Sequence, residues 1–271
     1  MKARAHLLLL AILIGSLSLL PFLWFVATSL KSAAEVTAIP PTIFPSFDWS
    51  AYRSAIQDYG FLKYMKNSAL VAAATTVLTI LISAPAGYAL ARFRFPASRL
   101  CLMLFLVVSM FPQIAIAGPV WRILNGAGAL NTLYGLVAVY SALSLPLAVW
   151  ILTTFFKELP VEVEEAAQVD GFTRWQTLTR IVFPMAAPGI FTAALLVFIH
   201  AWNEFFFALL VLTNPRLQTL PVGIALFPGE YTMPWGEIAA ASTMATLPLI
   251  ALTLIFQRRI VRGLFAGAVK G

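Results

Sequence analysis

The residues able to do chemistry in this chain are few, and they fall in two places. His200, Asn203, Glu204 and Phe207 stand at i, i+3, i+4 and i+7, one stripe of a helix, inside an otherwise apolar run. An imidazole, an amide, a carboxylate and a ring on one face can bind a neutral polar solute by hydrogen bonds and stacking. They can equally hold a neighbouring helix. A charge in such a run costs at least about 2.5–3.5 kcal/mol, so it is expected to face a cavity or a partner. Both a solute pathway and a helix–helix contact are open for the stripe. A metal site is not expected, because His200 and Glu204 have no third ligand nearby in the sequence.

The second place is the segment from Lys157 to Met185. It holds five of the eleven acids: Glu158, Glu162, Glu164, Glu165 and Asp170. Pro160 suits a first helical turn, and the acids after it favour the positive end of the helix dipole. Ala166, Ala167 and Val169 continue the helix, and Gly171 breaks it, by a left-handed turn or a close approach. Phe172, Trp175, Leu178 and Val182 then recur at helical spacing, with Arg174, Thr177 and Arg180 facing elsewhere. Pro184 and Pro188 are expected to end this second helix. A helix–Gly–helix element is therefore predicted over about 160–184. No catalytic residue is assigned, and no nucleotide-binding loop of the G-x-x-x-x-G-K-[ST] kind occurs. The lone Cys101 makes neither an internal disulfide nor a metal site; it reads as a small buried apolar residue.

The elements that carry these residues follow from composition. The chain is 61% hydrophobic and only 11% charged, with a mean hydropathy of +0.88, whereas soluble domains are about 25% charged. A spanning helix needs about 20 apolar residues. Continuous apolar runs predict six such helices, at about 7–30, 67–91, 100–121, 132–156, 188–212 and 238–257. Asn125-Gly126-Ala127-Gly128 and Asn131 mark the turn that separates the third from the fourth. The apolar runs do not alternate, which excludes a barrel. The first run, after Met1-Lys2-Ala3-Arg4, is longer than a signal-peptide core, so a retained helix is expected.

Lys and Arg set the orientation. With the N-terminus inside, twelve of the eighteen fall inside and six outside, so both termini are expected in the cytoplasm. The net charge of +7 is then largely this inside bias and attraction to anionic lipid; no nucleic acid is needed to explain it. Pro40-Pro41 and Pro45 make the first outside loop extended. A short amphipathic helix is expected from Phe47 to Ile56, with Trp49, Tyr52 and Ile56 on one face as interfacial anchors or as a contact for an external partner. The basic loop Arg92–Arg99 reads as a topology anchor.

Glu165-Ala166-Ala167, Gly171, Ile181 and Pro184 match, without gaps, the pattern EAA---G---------I-LP of ABC importer permeases. Asp170 before the glycine is also common there, and Phe183 replaces the usual Leu. The segment Ala201-Trp202-Asn203-Glu204-Phe205 with Ala208-Leu209 resembles the fifth helix of carbohydrate permeases. So do Asn67-Ser68, Thr219–Ile224 and Trp235-Gly236-Glu237. The tail, from Gln257-Arg258-Arg259 through Gly263-Leu264 to Gly271, is similar to the end of MalG-type subunits of the maltose/trehalose class. The resemblance covers nearly the whole chain.

It implies an all-α membrane protein with the ABC importer permease fold, residues 1–271 forming a single permease domain in a bacterial inner or plasma membrane. Such a subunit works with a second permease subunit, an ABC ATPase dimer that holds ATP and Mg, and an extracytoplasmic sugar-binding protein. This chain itself needs no cofactor. Glu165, Ala166, Ala167, Asp170, Gly171, Ile181 and Pro184 would then form the coupling element that docks on the ATPase. Glu165 would pair with a basic residue there, and the tail from Gly263 to Gly271 would reach toward it. A disaccharide such as maltose or trehalose is the expected substrate. A permease for a non-sugar solute, a standalone secondary transporter and a membrane enzyme are the alternatives.

Overall fold

A computed structural model describes residues 2–93, 98–227 and 233–266. Every regular element among them is helical. The chain runs α1 (Lys2–Ser29), α2 (Ala33–Val36), α3 (Ser50–Gln57), α4 (Phe61–Arg92), α5 (Ser98–Ser109), α6 (Gln113–Gly126) and α7 (Leu133–Glu158). It continues with α8 (Val161–Val169), α9 (Arg174–Thr177), a π-helical turn over Leu178–Val182, α10 (Phe183–Met185) and α11 (Ala187–Asn203). Then come α12 (Phe206–Val211), α13 (Leu220–Ala225) and α14 (Trp235–Ala266).

Four helices are long and apolar enough to cross a membrane unaided: Leu8–Ser29, Phe61–Arg92, Leu133–Glu158 and Trp235–Gln257. Two further crossings are available only as bent pairs, Leu100–Ser109 with Gln113–Gly126 at 96° and Arg174–Met185 with Ala187–Asn203 at 75°. The third expected helix, 100–121, is thus two helices. Pro112 removes a backbone donor at the bend and restrains Phe111 away from helical geometry. The fifth, 188–212, is also two, because Glu204 is extended (φ −70°, ψ 129°). Pro21, Pro85, Pro119, Pro146 and Pro248 by contrast sit inside continuous helices. Neighbouring groups readily re-satisfy a freed carbonyl in membrane helices.

Several elements begin or end away from their expected limits. α4 starts at Phe61 rather than near 67, and its 32 residues reach about 48 Å, beyond a bilayer core of about 30 Å. α7 starts where expected: Thr132 is its N-cap, accepting the Gly135 N–H at 3.1 Å. The turn before it takes left-handed backbone at Gly128 (φ 64°) and Asn131 (φ 55°). The expected amphipathic helix starts at Ser50, and its buried side is Ala51 and Ala55, not the aromatic face. Trp49 is exposed, and Tyr52 is partly buried against Ser29, hydroxyl to hydroxyl at 2.8 Å.

The chain packs as two compact units, residues 1–65 with 220–251 and residues 66–219 with 252–271. In the first, Ser32 and Glu35 form a capping box at α2, and the Ser46 hydroxyl donates to Glu35 Oε2 at 2.6 Å. Lys31, almost wholly buried, lies 4.4 Å over the Trp24 ring. Gly223 meets the ring of Tyr64 so closely that a Cβ would overlap it.

In the second unit, α7 is the central helix, with Leu136, Tyr140, Ala148, Leu152 and Phe156 fully buried. A Cβ at Gly87 of α4 would come within 3.1 Å of the Thr153 backbone nitrogen, so α4 and α7 approach backbone to backbone there. Gly189 of α11 likewise leaves room for the Phe155 ring. Asn67 Nδ2 donates to the carbonyls of Arg216 and Gln218 at 3.1 and 2.9 Å, and so ties α4 to the loop before α13.

Candidate functional site

The stripe predicted on one continuous helix is instead split across a helix break. α11 ends at Asn203, and α12 begins at Phe206. A break between two helices frees backbone donors and carbonyls. Three of the groups freed here find partners in the protein. Glu204 folds its carboxylate onto the new helix start, taking the Phe207 N–H on Oε1 at 2.9 Å and the Ala208 N–H on Oε2 at 3.2 Å. Its own carbonyl accepts the Tyr140 hydroxyl at 3.3 Å. Glu204 is therefore 6% exposed yet neither unpaired nor aimed at solvent. The positive end of α12 and two backbone donors offset its charge.

The four residues of the stripe accordingly separate. His200 and Asn203 are exposed, Glu204 is buried, and Phe207 is wholly buried. A cleft of about 490 Å³ is lined by Gln113, Ile199, His200, Asn203, Glu204, Phe205 and Phe206. Phe207 is not among them. An adjoining cavity of about 340 Å³ shares Gln113 and His200 and adds residues of α5, α6 and α7. The break before Gln113 and the break at Glu204 thus border the same space.

The expected stripe leaves out Gln113, Phe205 and Phe206, because it assumes an unbroken helix in both segments. Phe111-Pro112 within the third apolar run was the available signal. The lining pairs amide and imidazole groups with aromatic rings, a combination suited to a neutral hydroxylated solute.

The acidic segment folds as predicted up to its glycine. α8 ends in a Schellman motif: Phe172 N–H donates to Ala167 O at 3.0 Å and Gly171 N–H to Gln168 O at 3.1 Å. Gly171 takes φ +87°, and nothing lies within 4 Å of where its Cβ would stand. Within this chain the glycine therefore serves the left-handed turn, not a close approach. Thr173 and Gln176 cap α9 reciprocally. Pro184 and Pro188 do not end the second helix as expected. Pro184 cannot donate to the Arg180 carbonyl, and the preceding turn widens to π geometry, with Phe183 N–H on Leu178 O. The path then bends at Ala186 and continues into α11.

The motif residues divide between two sides. Glu165, Ala166, Asp170 and Gly171 are exposed, with Val169 (88%) and Trp175 (67%) beside them. Ala167 is buried, and Ile181 is partly so. Leu178 and Val182 join Ala84, Tyr88, Leu152 and Phe156 in a buried cluster. The basic loop residues 94–97 and the tail residues 267–271 lie outside the described residues, as do the side chains of Arg258, Arg259 and Arg262.

Comparison with known proteins identifies the architecture. The family model for the binding-protein-dependent transport system inner membrane component matches residues 80–266. The chain is 42% identical over 278 residues to the trehalose/maltose transport system permease protein MalG of Thermococcus litoralis, covering 99% of this chain and 97% of that one. It is 43% identical over 254 residues to the sulfoquinovosyl glycerol transport system permease protein SmoH of Agrobacterium fabrum, with 93% and 89% covered. The trehalose transport system permease protein SugB of Mycobacterium tuberculosis is 41% identical over 264 residues, with 96% and 95% covered.

In fold it is similar to a chain of a bacterial ABC transporter involved in import of the acidic polysaccharide alginate. That match has a TM-score of 0.79 at 22% identity and covers 95% of this chain and 97% of that one. Spanning helices, two bent pairs, the helix–Gly–helix element and these matches agree: the chain belongs to the family of inner membrane components of binding-protein-dependent transport systems.

Proposed function

We propose that this chain is one membrane-spanning subunit of an ATP-driven sugar importer, forming half of a translocation pathway that alternates its access. The observation that carries the reading is the exposed edge of the helix–Gly–helix element, where Glu165, Asp170 and Gly171 stand beside Val169 and Trp175. An apolar surface next to an exposed carboxylate suits docking in a cleft of a moving ATPase. ATP and Mg belong to that ATPase dimer. A second permease subunit completes the pathway, and an extracytoplasmic binding protein delivers the solute. The whole chain acts as one permease domain with six crossings and both termini in the cytoplasm. The family match, which runs through parts of both compact units, supports that reading.

Relatives named for trehalose, maltose and sulfoquinovosyl glycerol transport support a small glycoside substrate, with a disaccharide such as trehalose or maltose the expected one. Gln113, His200 and Asn203 would meet its hydroxyls, and Phe205 and Phe206 its apolar faces. The test is reconstitution of this chain with its second permease, ATPase and binding protein in proteoliposomes. Trehalose or maltose should stimulate ATP hydrolysis and enter the vesicles. Stimulation by an amino acid or by phosphate, with sugars inert, would overturn the sugar reading.

A further inference from the structure

Glu164 and Glu165 are adjacent, yet α8 points them to opposite fates. Glu165 is exposed, whereas Glu164 is 5% exposed. Both carboxylate oxygens of Glu164 are taken by α4, Oε1 by Arg92 Nε at 2.6 Å and Oε2 by the Tyr88 hydroxyl at 2.7 Å. The same guanidinium donates from Nη2 to the carbonyl of Leu159, the C-cap of α7, at 2.9 Å. This is the one ion pair among the described residues, and its two side chains are only 9% and 7% exposed.

Three elements converge on one planar fork, a geometry arginine supplies and lysine does not. Rings extend the join. Tyr88 stands edge-on to Phe156 of α7 at 5.8 Å, Phe156 stacks on Phe183 of α10 at 6.3 Å, and Arg174 of α9 lies 5.5 Å over Phe93.

We propose that the Glu164–Arg92–Tyr88 cluster is a latch that makes the helix–Gly–helix element move as one body with α4 and α7, so that Glu164 is a positioning residue for transport. The inference rests on the reading of that element as the ATPase-docking surface. A partner that pushes the exposed side of α8 can move the spans only if the buried side does not slip. Helix packing alone permits sliding, whereas a short ion pair with both carboxylate oxygens occupied fixes register and rotation together. The latch thus sits behind the motif glutamate, on the opposite side of α8 from any docked partner.

Removing one partner would strand a buried charge and endanger folding, so the test uses the paired change Glu164→Leu with Arg92→Leu, which removes both charges, alongside Tyr88→Phe. Three quantities are read on the assembled importer in lipid nanodiscs or vesicles. These are complex yield, sugar taken up per ATP hydrolysed, and the distance distribution between spin labels at Glu162 and Leu81 in a Cys101→Ser background. Both label sites are exposed, one on α8 and one on α4.

The latch predicts that the paired variant assembles and hydrolyses ATP while uptake per ATP falls about tenfold or more. The distance distribution should broaden, and Tyr88→Phe should fall between the paired variant and wild type. Wild-type uptake per ATP in the paired variant overturns the latch, whether or not the distribution broadens. A narrow distribution overturns it whatever the ATPase does. Failure of the docking reading is separable: it would appear as normal uptake in Glu165→Lys and Gly171→Val, which leave the latch intact.

Discussion

The carboxylate of Glu204 accepts the backbone N–H of Phe207 at 2.9 Å, capping α12 just after the extended backbone of Glu204 has ended α11. A carboxylate so placed caps a helix, and that changes what its replacement should do. Glu204→Ala leaves the Phe207 and Ala208 N–H groups without acceptors, at about 1–3 kcal/mol each. Glu204→Gln keeps one carbonyl oxygen for Phe207 and loses the second bond. The expected outcome is a severe fall in assembled complex for Ala and a mild one for Gln. Uptake per complex should change less than complex yield. Normal yield with lost uptake in the Ala variant would instead make Glu204 a solute contact.

Gly171 supplies a second prediction. Its φ of +87° with open space around it means that a side chain there meets nothing in this chain. A β-branched residue still pays about 1–2 kcal/mol for the left-handed conformation, whereas Asn tolerates it. Both Gly171→Asn and Gly171→Val should insert at wild-type levels. ATPase co-purification should fall in both if a partner approaches the turn closely. Loss with Val alone would mean that only the turn geometry matters, and normal co-purification with both would remove Gly171 from the docking surface.

The sequence was legible where side-chain type and backbone need coincide. The start of α7 near Thr132, the Gly128–Asn131 turn and Gly171 at the end of α8 all follow from residues with few conformational alternatives. The breaks at Pro112 and Glu204 do not show in hydropathy, which counts apolar residues and is blind to a carbonyl left without a donor; Pro112 itself marked the first, and nothing in the run marked the second. Glu204 was visible as an expensive charge, but its role as a cap depended on the helix ending just before it, and the partner of its own carbonyl, Tyr140, lies 64 residues away in the chain. The difference between Glu164 and Glu165 was hidden for the same reason. Two adjacent acids on a short helix look alike until Arg92 and Tyr88 are placed against one of them.

Glu35 gives a dependence on pH. The Ser46 hydroxyl, then the Ser32 backbone N–H, hold its carboxyl below the ordinary value of 4.5. A folded-state value lower than the unfolded one adds stability that is complete above the unfolded value and disappears as pH falls through the folded one. The loop that Ser46 anchors should therefore loosen only below about pH 4.5. Hydrogen-exchange protection over residues 32–48, taken relative to the intrinsic rate at each pH, should fall there, and Glu35→Gln should show the lower protection at neutral pH. Equal protection in the native chain at neutral pH and at a pH where the carboxyl is protonated would detach the loop from this carboxylate.

Orientation can be tested at two exposed positions on opposite sides of the expected map. Ser50 begins α3 in the loop expected outside, and Thr173 caps α9 in the proposed docking element. The excess of Lys and Arg in the segments assigned to the cytoplasm puts Thr173 inside and Ser50 outside. Single cysteines at either site, in a chain whose own Cys101 is replaced, should react differently with a membrane-impermeant thiol reagent. Ser50→Cys should label in intact cells, and Thr173→Cys only after permeabilisation. Ser50 has no side-chain role in capping α3, so its variant is a neutral probe of the outer face. Thr173 accepts the Gln176 N–H at 3.3 Å, so its variant loosens α9 slightly without moving it across a bilayer. Labelling of Thr173→Cys from outside would turn the docking element away from any cytoplasmic ATPase. The coupling assignment and the latch behind it would then fall together.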